Sequence, residues 1–424
     1  RINAAARMNG LSYSRLMSGL RRTVFRPLDP DFVEDPYPTY DRLRREHPIG
    51  WATTPAQGYA GFWFVSRYAD VTAGLKDDRF GREVAKVLPP EAFAPIPEAH
   101  RPLYAMIAQW MLFKDPPEHA RLRRIAAPVF ALRQVNAMRP RIEALIDAAF
   151  DAVPEYGPFD IISDLSSPLS IDIVSDLMGV PEEDHPLVRG WVREITLSLD
   201  LVRTPERIAA GSRRAAELVA YFGALVRERR AKPKDDFLGL LIAAHDSGSF
   251  LTEEELLASC VLFLFAGHEA SSLLIGNGLH ALARNPGEYA RLRAGETQGR
   301  LVVSELLRYD SPQQIAFRHA LEDVEFLGAS IRKGQTIGFG LGSANRDPDV
   351  FADADRLDLS RQETRHLAFG AGIHTCAGSS LANLEAELVF DRIAKRLPGI
   401  GIIAAQRQES ILVRGLTRLI IDCG

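Results

Sequence analysis

The stretch that most constrains this chain is "LTEEELLASCVLFLFAGHEASSLLIGNGLHALARNPG". Thr252 precedes a helical pattern with Glu255 three residues on, which predicts a capping box at the helix start. The pattern continues to Arg284 before "NPG", about 33 residues or roughly 50 Å at 1.5 Å per residue. Its middle is apolar almost all round, so the helix must run buried through the centre of the molecule. The unbroken apolar run, Leu256 to Gly267, falls well short of the ~20 residues that span a bilayer, so no membrane span is expected.

Around that helix the pattern is mostly helical, with helices expected near Pro38–Glu46 and Ala69–Lys76 and over most of Glu118 to Leu282. Strand-like alternation is confined to Phe62–Arg67 and to stretches between Ala316 and Phe339. No repeat or linker divides the chain. It reads as one mainly α domain with a small β portion over residues 29–424, after a flexible leader over residues 1–28 that carries six arginines and no acid. The net charge of -4 gives no reason to expect a nucleic-acid partner. Cys260, Cys376 and Cys423 are odd in number and far apart, which excludes a disulfide framework or zinc knuckle and suits a reducing, cytoplasmic setting.

"AFGAGIHTCAGSS" sets Cys376 behind two glycines and ahead of a final long helical pattern. A cysteine at a helix N-terminus meets unpaired N–H groups and the positive end of the helix dipole, which favour a thiolate. The glycines allow turns and close backbone approach. From these residues alone, a nucleophilic and a metal-bound cysteine both remain open.

The series Phe369-Gly370-x-Gly372-x-His374-x-Cys376-x-Gly378 resembles the heme-binding loop of the cytochrome P450 family. That resemblance implies a cytochrome P450 fold with a long central helix over heme b, Cys376 as axial thiolate on its iron, Phe369 beside the ring and His374 on a propionate. "SELLRYDSP" holds Glu305 and Arg308, similar to the family's buried ExxR pair, and Arg356 stands where a third, structural arginine is implied. "DPPEHARLRR" resembles the family helix whose His and Arg bind propionates, here His119 and Arg123, four apart on one face. Arg318 occupies the position of a further propionate donor. The resemblance runs from about Pro27 to the C-terminus.

Within the long helix, "FAGHEASS" is similar to the family's oxygen-activating segment. Ala266 and Gly267 are then implied to form the dioxygen groove and Glu269 to be the acid of a proton relay. The alcohol that usually follows is replaced by Ala270. Ser271 does not take its place directly, because one residue turns a side chain about 100° round a helix. A relay through water held by Ser271 and Glu269, assisted by a substrate hydroxyl, is expected.

By the same resemblance, Val87, Leu88, Phe93, Phe265, Gln314, Ile315 and Phe317 line a pocket for a lipophilic substrate such as a polyketide, terpenoid, steroid or fatty acid. The implied reaction inserts one oxygen atom from O2, with electrons from a separate ferredoxin or flavodoxin and its reductase. Arg121 and Arg124 are candidates for docking that partner. Ala270 also motivates an alternative, a peroxide-driven or non-monooxygenase enzyme. A non-catalytic heme protein would have no use for Glu269.

Overall fold

The computed structural model describes residues 23–54, 59–93, 95–128, 130–154, 156–199, 204–234, 236–246 and 251–423. The central helix runs from Glu253 to Arg284, capped by Thr252 and Glu255 in the reciprocal manner the sequence predicts. Glu255 also pairs with Arg121, so one carboxylate fixes the helix start and ties it to a neighbouring helix, Glu118–Ala126. By length and apolar composition this helix could cross a membrane, yet most of its apolar window is buried inside the protein. Between Leu256 and Leu282, Ala266 and Ala270 alone are exposed. One turn apart, they share a face, so the helix passes an internal space there.

The strands are β1 (Thr23–Phe25), β2 (Ile49–Thr54), β3 (Tyr59–Val65), β4 (Phe80–Gly81), β5 (Pro158–Asp160), β6 (Ile315–Ala320), β7 (Val324–Phe326), β8 (Ala329–Ile331), β9 (Thr336–Gly340), β10 (Gly401–Arg407) and β11 (Leu416–Asp422). Six of them form one sheet in the order β1-β2-β3-β9-β6-β4, beside the helical body. The expected leader ends earlier than residue 28. Thr23 and Phe25 pair with Trp51 and Ala52, and Phe25 is buried against Phe32 and Phe64. Residues 1–22 lie outside the described residues.

The helix Arg300–Tyr309 carries the most deeply buried ion pair among the described residues. Arg308 and Glu305 are both almost fully buried, joined at 2.7 and 2.8 Å. The remaining Arg308 donors reach the carbonyls of Asn345, Ala354 and Arg356, so all five N–H groups are used. The third arginine differs from expectation. Arg356 contributes only its carbonyl and its side chain is exposed, because a turn at Asp353 (φ 47°) directs it outward. Arg361, brought back by a second turn at Asp358, reaches Glu305 at 3.1 Å instead.

Removing one partner of a buried ion pair costs far more than trimming an exposed side chain. Arg361→Ala is therefore expected to lower the denaturation midpoint clearly more than Arg356→Ala, by about 1–3 kcal/mol in stability. Equal effects in urea unfolding would show that Arg361 is not the working partner.

Candidate heme-thiolate site

Cys376 lies in a tight loop between the core and the helix Ser379–Arg396. Its N–H donates to the Phe369 carbonyl at 2.9 Å, closing the loop. Gly370 and Gly372 take φ of 71° and 73°, which favours glycine, and a Cβ on Gly372 would meet the Leu75 carbonyl oxygen at 2.4 Å. Gly378 is different. Its φ is -86°, and a Cβ there would meet Phe130 at an ordinary 3.6 Å, so neither strain nor the protein's own packing demands the glycine.

The Cys376 side chain is exposed, yet desolvation raises its thiol pKa, opposed by the Gly378 N–H and by the charge of Arg123. A thiol both accessible and desolvated faces an enclosed space, not bulk water. Phe369 packs on the main core and on the His366 ring.

Beside the loop, cationic side chains converge. The His119 and His374 rings lie 4.2 Å apart, between Arg123 on the helix Glu118–Ala126 and Arg318 on β6. Arg318 and His374 line a cavity of about 370 Å³ together with Lys76 and Lys86. Burial, then the nearby arginine charges, hold His119 below its usual range and push His374 down to about 2. Arg318 is lowered to about 10 by burial, and Arg82, which sequence reasoning missed, to about 9 by burial and then by Arg318. The carboxylate of Asp115 is the anion near these groups, but it accepts the backbone N–H groups of Arg82 and Glu83. The buried Nε2 of His374 has no partner. Buried cations short of an anion, with an unpaired imidazole nitrogen among them, fit the two carboxylates of heme.

On the opposite side, the central helix shows its exposed Ala266 and Ala270 with Glu269 half-buried. The missing Cβ of Gly267 serves a helix contact, since an added one would strike Val174 at 2.7 Å. Ser271 does not turn toward Glu269 as expected. It is buried and donates to Glu385 Oε2 at 2.9 Å, because its direction on the helix meets the helix Ser379–Arg396. Glu385 also accepts from Ser170 at 3.2 Å. Burial raises its carboxyl to about 7 against those two hydrogen bonds. No local signal in the sequence marks Glu385, whose partners lie far away along the chain.

Among the expected pocket residues, Ile315 and Gln314 are corrected to structural roles. Ile315 is fully buried opposite Gly340 of β9, and Gln314 is held between the Tyr40 hydroxyl and the Ser311 carbonyl. Leu88 presses on Gly334. Phe265 stacks on Trp110, and Phe317 meets Phe62 edge-on. Val87, Phe93, Phe265 and Phe317 are half-buried. Arg121 is committed to Glu255, which removes it from a free docking patch.

The chain is similar to known proteins over most of its length. The family model described as Cytochrome P450 matches residues 90–296 and 300–397. The chain is 34% identical to a biotin biosynthesis cytochrome P450 of Bacillus subtilis, covering 88% of this chain and 91% of that one. It is 36% identical to the cytochrome P450 monooxygenase PikC of Streptomyces venezuelae, covering 92% of each. Among solved structures it superimposes on P450BioI in complex with an acyl carrier protein ligated to hexadec-9Z-enoic acid. The TM-score is 0.83 at 32% identity, covering 92% of this chain and 99% of that one. With a family model matched over most of its length and relatives above 30% identity covered nearly end to end, the chain belongs to the cytochrome P450 family of heme b monooxygenases.

Proposed function

We propose that Cys376 is the axial thiolate of the heme and that the chain oxygenates a lipophilic small molecule. The observation that carries this is a buried Arg318 and an unpartnered, neutral His374 imidazole beside an accessible but desolvated Cys376. His119, Arg123, Arg318 and His374 would hold the two heme carboxylates, and the Gly378 N–H would donate to the sulfur and so tune it. When bound, the heme supplies reductive activation of O2 and transfer of one oxygen atom to substrate.

The chain's own part on the distal side is space and protons. Ala266 and Ala270 leave room on one helix face, and Glu269 stands half-buried beside them. A carboxyl near pH 7 that is hydrogen-bonded to Ser271 is suited to general acid work. We assign the alcohol function that Ala270 lacks to Ser271, which lies about 100° round the helix from that face and so hands protons on from Glu385 through intervening water. This replaces the expected water shared with Glu269.

Val87, Phe93, Phe265 and Phe317 are the apolar side chains offered to substrate. Relatives named for polyketide and fatty-acyl chemistry support a substrate of that kind, free or carried on a protein. A cytoplasmic setting, with a separate ferredoxin or flavodoxin and its reductase as electron source, suits a chain whose three cysteines are odd in number and far apart in sequence. Ala270, exposed and without a hydroxyl, supports a second reading, in which hydrogen peroxide drives turnover. Product formed with peroxide alone, against O2 plus reductase, separates the two.

The reduced, carbon monoxide-bound protein is expected to show the long-wavelength Soret band of thiolate ligation, and Cys376→Ser to lose it while retaining the fold. A band that survives that substitution would remove Cys376 from the iron.

Glu385 gives a second test. In the folded protein it titrates at about 7, above the ordinary carboxyl value of 4.5. Its contribution to stability is therefore complete below about 4.5, is lost as pH rises to about 7, and changes no further above that. Glu385→Gln should flatten the fall in stability over this window, read from urea midpoints. Ser271→Ala should lower the product formed per O2 consumed several-fold; unchanged coupling in both variants would exclude the relay.

A further inference from the structure

Arg82 lies outside the four side chains expected to hold the heme carboxylates, yet it is half-buried directly beside Arg318, and the two share an acceptor. It follows β4 and donates from Nε to the Leu112 carbonyl and from Nη1 to the Phe317 carbonyl, each at 2.9 Å. Its guanidinium stands 5.0 Å from the Phe113 ring centre. Arg318 donates to the same Phe317 oxygen at 2.8 Å. Two guanidinium groups thus share one neutral acceptor inside the protein. Asp115, the anion beside them, takes the main-chain N–H groups of Arg82 and Glu83. Like charges this close and this dry raise each other's cost, and a neutral carbonyl offsets little of it.

Resting on the heme reading above, we infer that Arg82 is a positioning residue for the cofactor's carboxylate edge. It fixes Arg318 through the shared Phe317 carbonyl and adds its own charge to the field that holds an anion there. Burial lowers both arginines, and the charge of Arg318 lowers Arg82 further, while Asp115 offsets only part of the cost. Such a residue acts with opposite sign in two states. Without the anion its charge opposes folding; with the anion it strengthens binding. An arginine kept only for packing would support both states alike. The same field favours the extra electron of the reduced heme, so removing it shifts the iron toward the ferric form.

The test uses the full chain with Arg82→Gln and Arg82→Lys beside the wild type. Three quantities are read: the urea midpoint of the apoprotein, its affinity for added heme, and the midpoint potential of the loaded protein. Arg82→Gln is expected to leave the apoprotein midpoint unchanged or raised while heme binds about tenfold more weakly. The ferric–ferrous balance should move about tenfold toward ferric, 59 mV for one electron. Arg82→Lys should recover most of the affinity and the potential, because it returns the charge. The inference is overturned if Arg82→Gln keeps wild-type affinity and potential, if it destabilises the apoprotein, or if Arg82→Lys behaves like Arg82→Gln. Failure of the underlying heme-thiolate reading looks different: the wild type itself would then lack the long-wavelength band.

Discussion

The Arg308–Glu305 pair is the constraint on which the rest of the structure depends. A buried ion pair is tolerable only when its remaining donors and acceptors are satisfied, and here the satisfaction comes from far along the chain. Arg308 takes the carbonyls of Asn345, Ala354 and Arg356, while Glu305 takes the Asp358 N–H and the Arg361 side chain. An irregular segment without its own hydrogen-bond ladder is thereby given a fixed shape. Asn345 passes that shape on, donating to Ser311 and accepting the Leu367 N–H at 2.6 Å. Leu367 leads directly into the loop that ends at Cys376, and its carbonyl accepts the Gly370 N–H. The position of the sulfur is therefore set by an arginine on another helix.

Charge is distributed to match. The chain as a whole is slightly acidic, at -4, yet the side chains near Cys376 include Arg82, Arg123 and Arg318 and two imidazoles that their charge helps keep neutral. Such a cluster opposes folding of the empty protein and favours the loaded one, so cofactor binding becomes part of the folding free energy. The same segment carries both needs: His374 and Cys376 sit two residues apart, and one loop presents the thiol and an unpaired imidazole nitrogen.

What could be read in the sequence was what depends on neighbours in the chain. The central helix begins where Thr252 and Glu255 predict, because a capping box is closed within one turn. The ExxR pair and the cysteine loop are likewise local patterns. What could not be read was the choice among distant partners. Arg356 and Arg361 lie in one irregular segment, and only two turns, at Asp353 and Asp358, decide which side chain reaches Glu305. Alternation marks β6 as a strand but not which face is core; Tyr40 and β9 decide that for Gln314 and Ile315. The pairing of β1 is not legible for the same reason, since Phe25 is held by Phe32 and Phe64 and not by its neighbours in the chain. Arg82 gave no signal at all, being one arginine in a loop until the fold sets it against Arg318.

The absent alcohol at Ala270 gains meaning from the helix's own geometry. Ala266 and Ala270 occupy one face, and Ser271, about 100° further round, turns to the helix that follows Cys376. Losing the hydroxyl on the first face widens the space there without stripping the helix of proton-bearing groups, because the second face holds a serine on a buried carboxyl. A carboxyl near 7 retains a proton at neutral pH that an exposed one would have lost. That carboxyl, Glu385, stands on the same helix whose N-terminal end meets Cys376. A single rigid element thus sets both the sulfur proposed to ligate the iron and the acid proposed to feed the opposite side. Any shift of that helix would disturb the two together, which ties the electronic tuning of the iron to the supply of protons.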